Sequence, residues 1–557
     1  MRSAYLSALM VIAGLVAGVL VPAQQASAQT KPMLVVAFSG YNELHTDLEF
    51  IGEISENPEL ANSLDGLLAV VTQFQGLVGL DKSKPWGASV SSDGQAFQTL
   101  VFLPVTDLQK LFGALANFVG EPKDSGDGIW QVRVNNGMPA FVKEQAGWAF
   151  LAQSPDQLAD LPKDPGALVS GLAKKYDLAV KANIQNVPQQ FRDLAITQIK
   201  LGMQSGLERQ DDETDAQYQL RVKIMQQQLA QLEEVINGLD EIVIGWAIDP
   251  KSRSAYLDFS LTAMPGSKLA QNAAAASTIK SKLAGFLESD KSLVDGHIAS
   301  KQGPDDIEST LSLVKSLRTT VMDSIDKEDD LKDDEKPVVK KVVGEGLDVV
   351  EATVKKGVFD GGFVIVGEGP FTLAAGALIE EGKRLESAFK QALELVKGKP
   401  DAPEIKLNAE THAGVTFHTL SGPWPPNDND NEQAKKLLGD ELVVTFGFAA
   451  DRVFVAVGED GIDTIKSVID DSASAKSPEL PFEVHAWLEP ILEYAAEQQP
   501  DNPILKTVAD SLDEDDGIHL TSRMIKNGAM SRLEFDEGVL KAIGMAGAAA
   551  QKQQRRR

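Results

Sequence analysis

One order of elements is written twice along this chain, and that repetition limits its fold more than any single motif does. The first run opens with an apolar strand at 33–38 and helical stretches at 42–55 and 58–77. Strands at 87–91 and 96–103 follow, with Asp93-Gly94 between them, a strong hairpin signal. Thr106-Asp107 caps the next helix, whose Leu108, Leu111, Phe112 and Leu115 share a face. Short strands at 129–134, 139–143 and 148–152 lead to a short helix after Ser154. The second run repeats the scheme with a strand at 292–300, helices at 305–325 and 335–356, and a hairpin of 361–366 with 371–375. A helix at 380–396, strands at 405–410, 414–420, 441–449 and 452–457, and a helix at 461–469 complete it. In both runs a strand then feeds a helix, 176–182 into 187–202 and 482–486 into 488–497. Each closes on a hairpin and a helix: 240–249, 254–262 and 268–287 in the first, 517–525, 529–535 and 539–550 in the second.

Consecutive strands joined by tight turns pair antiparallel, and the expected class is α+β, with helices packed on one face of the sheet. Any chain of short strands and helices aligns loosely with itself; the matched strand-into-helix step is what favours a tandem duplication. The expected units are a signal peptide at 1–28, repeats at 29–290 and 291–550, and a disordered basic tail at 551–557. Copy-specific insertions are polar. A helix from about 207 to 238 carries Val222, Met225, Leu229, Leu232, Ile236 and Leu239 at heptad spacing. Packing on its own domain is expected of this stripe, with a self-associating coiled coil as the alternative.

Residues 5–21 form an apolar run after Arg2, and Ala26-Ser27-Ala28 is the small-x-small pattern at which a secretory leader is cut. Cleavage after Ala28 leaves 529 residues (557 − 28). The alternative is an uncleaved anchor, since 17 residues just span a bilayer. The chain has no Cys, which removes disulfides, thiolate metal sites, a cysteine nucleophile and a lipid anchor on cysteine. With 43% hydrophobic and 24% charged residues over 557 positions, the chain is long enough to build a large core without staples. The net charge of −28 opposes nucleic acid and anionic lipid as partners.

Motifs for chemistry are scarce. The six His (His45, His297, His412, His418, His485 and His519) form neither His-x-x-x-His nor His-Glu-x-x-His. His412 and His418 read as isolated imidazoles on the sheet surface. Asp428, Asp430 and Glu432 alternate in a Pro- and Asn-rich loop, and Asp513, Asp515 and Asp516 precede Gly517. Both are weak calcium candidates, because the glycine and distant Glu of a twelve-residue calcium loop are missing. No Gly-x-Ser-x-Gly elbow occurs, and Gly367-Glu368-Gly369 runs into Pro370 and a strand, so it is a hairpin turn without phosphate donors. Trp86, Trp130, Trp148, Trp246 and Trp487 fall in or beside strands, where a core role is expected. Trp424, in the Pro-rich loop, is the Trp expected to be exposed and the one candidate contact residue.

Residues 79–87 (GLDKSKPWG), the Asp93-Gly94 hairpin and 102–111 (FLPVTDLQKL) resemble a group of uncharacterised exported proteins of planctomycete-type bacteria. The resemblance implies export and carries no activity. In the second copy, 358–362 takes the place of Pro-Trp-Gly. The expectation is therefore an exported, non-enzymatic binding or structural module of the periplasm or envelope. It has no catalytic residues and no cofactor, is monomeric, and binds an unknown protein or envelope component. An apolar-ligand carrier, or a hydrolase using carboxylates dispersed in sequence, is the alternative.

Overall fold

A computed structural model describes residues 31–556, leaving out 56, 135–137, 205–208, 210–212, 276–278, 289–291, 329–330, 398–401 and 425–430. The leader and its cleavage motif lie outside the described residues.

The first half begins β1 (Leu34–Phe38), α1 (Tyr41–Ile54), α2 (Leu60–Val71), β2 (Trp86–Ser92), β3 (Phe97–Pro104), α3 (Leu108–Ala114) and α4 (Ala116–Val119). It continues β4 (Lys123–Asp124), β5 (Ile129–Val134), β6 (Met138–Gln145), β7 (Trp148–Ala152), α5 (Gly166–Ala173) and β8 (Leu178–Asn183). It closes with α6 (Gln189–Gln204), α7 (Asp215–Gly238), β9 (Leu239–Asp249), β10 (Ser254–Ala263) and α8 (Lys268–Ala275). The second half begins β11 (Ser292–Lys301), α9 (Pro304–Lys327), α10 (Lys336–Lys356), β12 (Val358–Val366), β13 (Thr372–Leu378) and α11 (Gly382–Val396). Next come β14 (Glu404–His412), β15 (Val415–Pro423), α12 (Asn431–Leu438), β16 (Glu441–Phe448), β17 (Arg452–Val457) and α13 (Gly461–Ser474). The last elements are β18 (Phe482–Trp487), α14 (Leu488–Gln498), α15 (Pro503–Ala509), β19 (Gly517–Ile525), β20 (Gly528–Phe535) and α16 (Glu537–Arg556).

All twenty strands join one sheet, and every pairing between them is antiparallel. The halves meet where β10 pairs with β20. Read outward from that pair, the first half runs 10-9-8-1-2-3-7-6-5-4 and the second 20-19-18-11-12-13-17-16-15-14. Each strand of the first half thus has its counterpart ten numbers on. The α+β class follows directly.

The helical cover differs from the one-face expectation. On β7, Ala149 packs with Leu108, Leu111 and Phe112 of α3, while its neighbour Phe150 packs with Val169 of α5. Adjacent strand residues point to opposite faces, so helices lie on both. The second half does the same: α13 covers Phe454 and Ala456, and Phe389 of α11 covers Phe446 and Phe448 across the sheet. Both faces need cover because the strands are apolar at odd and even positions alike, as in Ile242-Val243-Ile244.

Three further expectations are corrected. Among the described residues of the helix expected at 268–287, α8 covers Lys268–Ala275 and a 3-10 turn covers Ala284–Leu287. Leu283 and Phe286 are fully buried in the second half's core, and that packing outweighs the helix propensity of the Ala-rich run. The helix expected from 207 starts at Asp215, where Thr214 and Gln217 form a capping box. It lies along α9 of the other half, with Lys223 Nζ 3.2 Å from the Ser312 carbonyl, instead of packing only on its own domain. The tail expected to be disordered continues α16 as far as Arg556. Among the described residues no helix is long and apolar enough to cross a membrane.

Candidate functional site

Strand alternation and register place one apolar row across the centre of the sheet. Directly opposed residues run Phe38, Leu178, Trp246, Leu257, Leu533, Leu520, Val484, Gly296, Phe363, Ala375, Val455 and Phe446. Gly296 in this row is a close approach, because a Cβ there would sit 2.5 Å from the Phe363 ring. Ile244, Leu257, Phe259, Phe359, Phe363, Leu373, Val455 and Leu520 are 37–49% exposed, and the register puts all of them on this face. Clustered apolar exposure of this kind marks a binding surface more often than chance surface composition does.

At the second-half end of the row, helices overhang the face and form an open cavity of about 570 Å³. Its roof is Leu385, Ala388, Phe389 and Ala392 of α11, which follow helical spacing, with Val342 of α10 beside them. Its floor is the Ala375, Phe446 and Val455 portion of the row. Among the described residues no charged side chain lines it. Phe389 packs its ring 4.7 Å from that of Phe446 and 5.3 Å from that of Phe448.

The other side of α11 is charged. Glu386, 7% exposed, receives Lys390 Nζ at 2.6 Å and Lys383 Nζ at 3.0 Å. Burial alone raises a carboxyl pKa, but the two ammonium groups hold Glu386 below its ordinary value. His418, expected on the surface, is fully buried. Its Nδ1 accepts from Asn408 N at 2.9 Å, and burial pushes the imidazole pKa down, so it serves as a neutral acceptor. His412 instead faces Asp470 at 2.7 Å. His485 and His519 oppose each other on β18 and β19, paired with Asp295 at 3.0 Å and Asp536 at 2.6 Å.

Trp424 is half-buried, not exposed, and donates its indole N–H to the Gly439 carbonyl at 3.0 Å. Of the weak calcium candidates, Asp428 and Asp430 lie outside the described residues, and Glu432 stands exposed in the first turn of α12. Asp516 spends its oxygens on the backbone N–H groups of Gly538 and Asp513, at 2.8 and 2.7 Å, and so ties down the start of α16. Of the Trp expected in the core, Trp148 is buried and meets Phe102 edge-on, while Trp86, stacked on Phe38, and Trp246, tilted against Phe535, are half-buried.

One acidic group was not anticipated. Glu43 and Asp47 share a face of α1 at i, i+4, and Asp177 precedes β8; their nearest carboxylate oxygens all lie within 4.8 Å of one another. Asp47 is 1% exposed and has no hydrogen-bond partner on either oxygen. Burial first, then the charges of Asp177 and Glu43, push its carboxyl up to about 8. Burial also raises Asp177, against the help of the Ile248 N–H at 2.7 Å. The available signal was Asp47 itself, a charge in the buried stripe Asp47, Phe50, Ile54. The pair is close enough for two-carboxylate hydrolysis. Asp47 nevertheless offers no surface to a substrate, and none of the described cavities is lined by it.

No family model, curated protein or solved structure matches this chain.

A pH dependence follows from the acidic group. Between the ordinary carboxylate range near 4 and about 8, folded Asp47 holds a proton that the unfolded chain has released. Stability from this group is complete at the acid end of that window and is lost as pH rises through it. Urea melts in metal-free buffer across pH 4–9 are expected to show this loss in the wild type, relative to Asp47→Asn. Parallel stability profiles for the two proteins would contradict it.

Proposed function

We propose that this chain is an exported, non-enzymatic envelope protein that holds an apolar molecule between α10, α11 and the sheet. The cavity carries the reading. Its volume falls within the 300–1,000 Å³ usual for small-molecule sites, and its lining is hydrophobic and aromatic. The half-exposed row leading away from it supports entry along the sheet face. The leader pattern at 1–28 supports export, and the net charge of −28 weighs against nucleic acid as a partner. The matching strand order of the two halves supports descent from one duplicated unit.

The direct test is titration of the delipidated chain with a fluorescent polyene fatty acid. Saturable enhancement near one equivalent, displaced by palmitate, is expected. Fluorescence that rises without saturation, or is not displaced, would refute a defined site.

A further inference from the structure

We propose that Glu43, Asp47 and Asp177 form a binding site for a hard divalent cation, with calcium as its best-fitting member. The donors are carboxylate oxygens only, the set that hard cations prefer over imidazole- and thiolate-seeking metals. Oxygens within 4.8 Å of one another suit metal–oxygen distances of about 2.3–2.6 Å. Asp47 supplies the decisive observation: it is 99% shielded, aimed into the cluster, and without a donor on either oxygen. A buried carboxylate in that state is stable only with a proton or a cation beside it. The charges acting on it, Asp177 and Glu43, are both negative. Glu43 is exposed, so the group opens to solvent on one side, where water can complete the coordination.

The backbone frame at this place does not need an acidic residue. In the first half Ser39 N donates to the Asp177 carbonyl; at the matching place in the second half Ala299 N donates to the Pro481 carbonyl. The same backbone bond therefore forms with a proline where the first half has Asp177. The acidic group is a feature of one copy, added to a frame that closes without it.

The test is thermal unfolding of the full chain in EDTA and in millimolar calcium, for wild type, Asp47→Asn and Glu43→Gln. Calcium is expected to raise the wild-type Tm by about 2–3 °C, the size set by ligand concentrations near a hundredfold Kd in a chain of this length. The shift should vanish in Asp47→Asn and shrink in Glu43→Gln, with calcium affinity at least tenfold weaker by calorimetry. In EDTA, Asp47→Asn should melt at or above wild type, because it removes an uncompensated buried acid. If Asp47→Asn fails to fold, the exposed Glu43→Gln still decides. No calcium shift in the wild type, or equal shifts in all three proteins, would overturn the proposal. This result is independent of whether fatty acid binds.

Discussion

Truncating Phe286 to alanine is expected to cost about 3–5 kcal/mol, the range for a large aromatic removed from a packed interior. Phe286 has no exposed surface and stands in the segment that links the halves. It enters the second half's core beside Leu283 and lies against Phe454, with ring centroids 6.4 Å apart. Gly362 makes the space: a Cβ there would meet the Phe286 ring at 2.6 Å. The void left in this core adds a cavity term to the lost transfer energy. Denaturant melts of Phe286→Ala should show the loss with an unchanged m-value. A loss below about 1 kcal/mol would mean that the linking segment is not part of the core.

Arg532→Ala is the second large effect. Asp258 on β10 and Arg532 on β20 are directly opposed in the register that joins the halves. The guanidinium bonds the carboxylate through Nε at 2.8 Å and Nη2 at 2.9 Å, and Tyr176 adds its hydroxyl at 3.0 Å. The Arg532 head also lies 3.7 Å from the Tyr256 ring centre. Asp258 is 2% exposed, so removing the arginine leaves a buried charge with one neutral donor. Because Arg532 itself still meets water, a loss of about 3 kcal/mol is expected, at the lower end for a broken buried pair. The double variant with Asp258→Asn should recover part of it. A double-mutant cycle with no coupling would show that the pair does not hold the halves together.

The local features of the fold were legible in the sequence and the distant ones were not. Asp93-Gly94 and the alternation around it name the β2–β3 hairpin, because turn chemistry and a two-residue period act over a few residues. The parallel order of elements in the two halves was legible for the same reason. The joining of both halves into one sheet was not, because β10 and β20 lie far apart in the chain and no local pattern encodes their register. His418 read as a surface imidazole because strand alternation does not reveal that α11 covers that face. The cavity was hidden likewise: Leu385, Ala388, Phe389 and Ala392 look like an ordinary buried stripe until the sheet beneath them is known to leave a gap. Asp47 left a trace, a carboxylate at a stripe position, but its partner Asp177 lies on another element.

The central claim, that the space beneath α11 is a binding site and not a packing defect, is tested most directly by filling it. Ala392→Trp places an indole in the cavity, and affinity for the polyene fatty acid is expected to fall at least tenfold while Tm stays level or rises. Undiminished affinity in a stably folded Ala392→Trp protein would contradict the account.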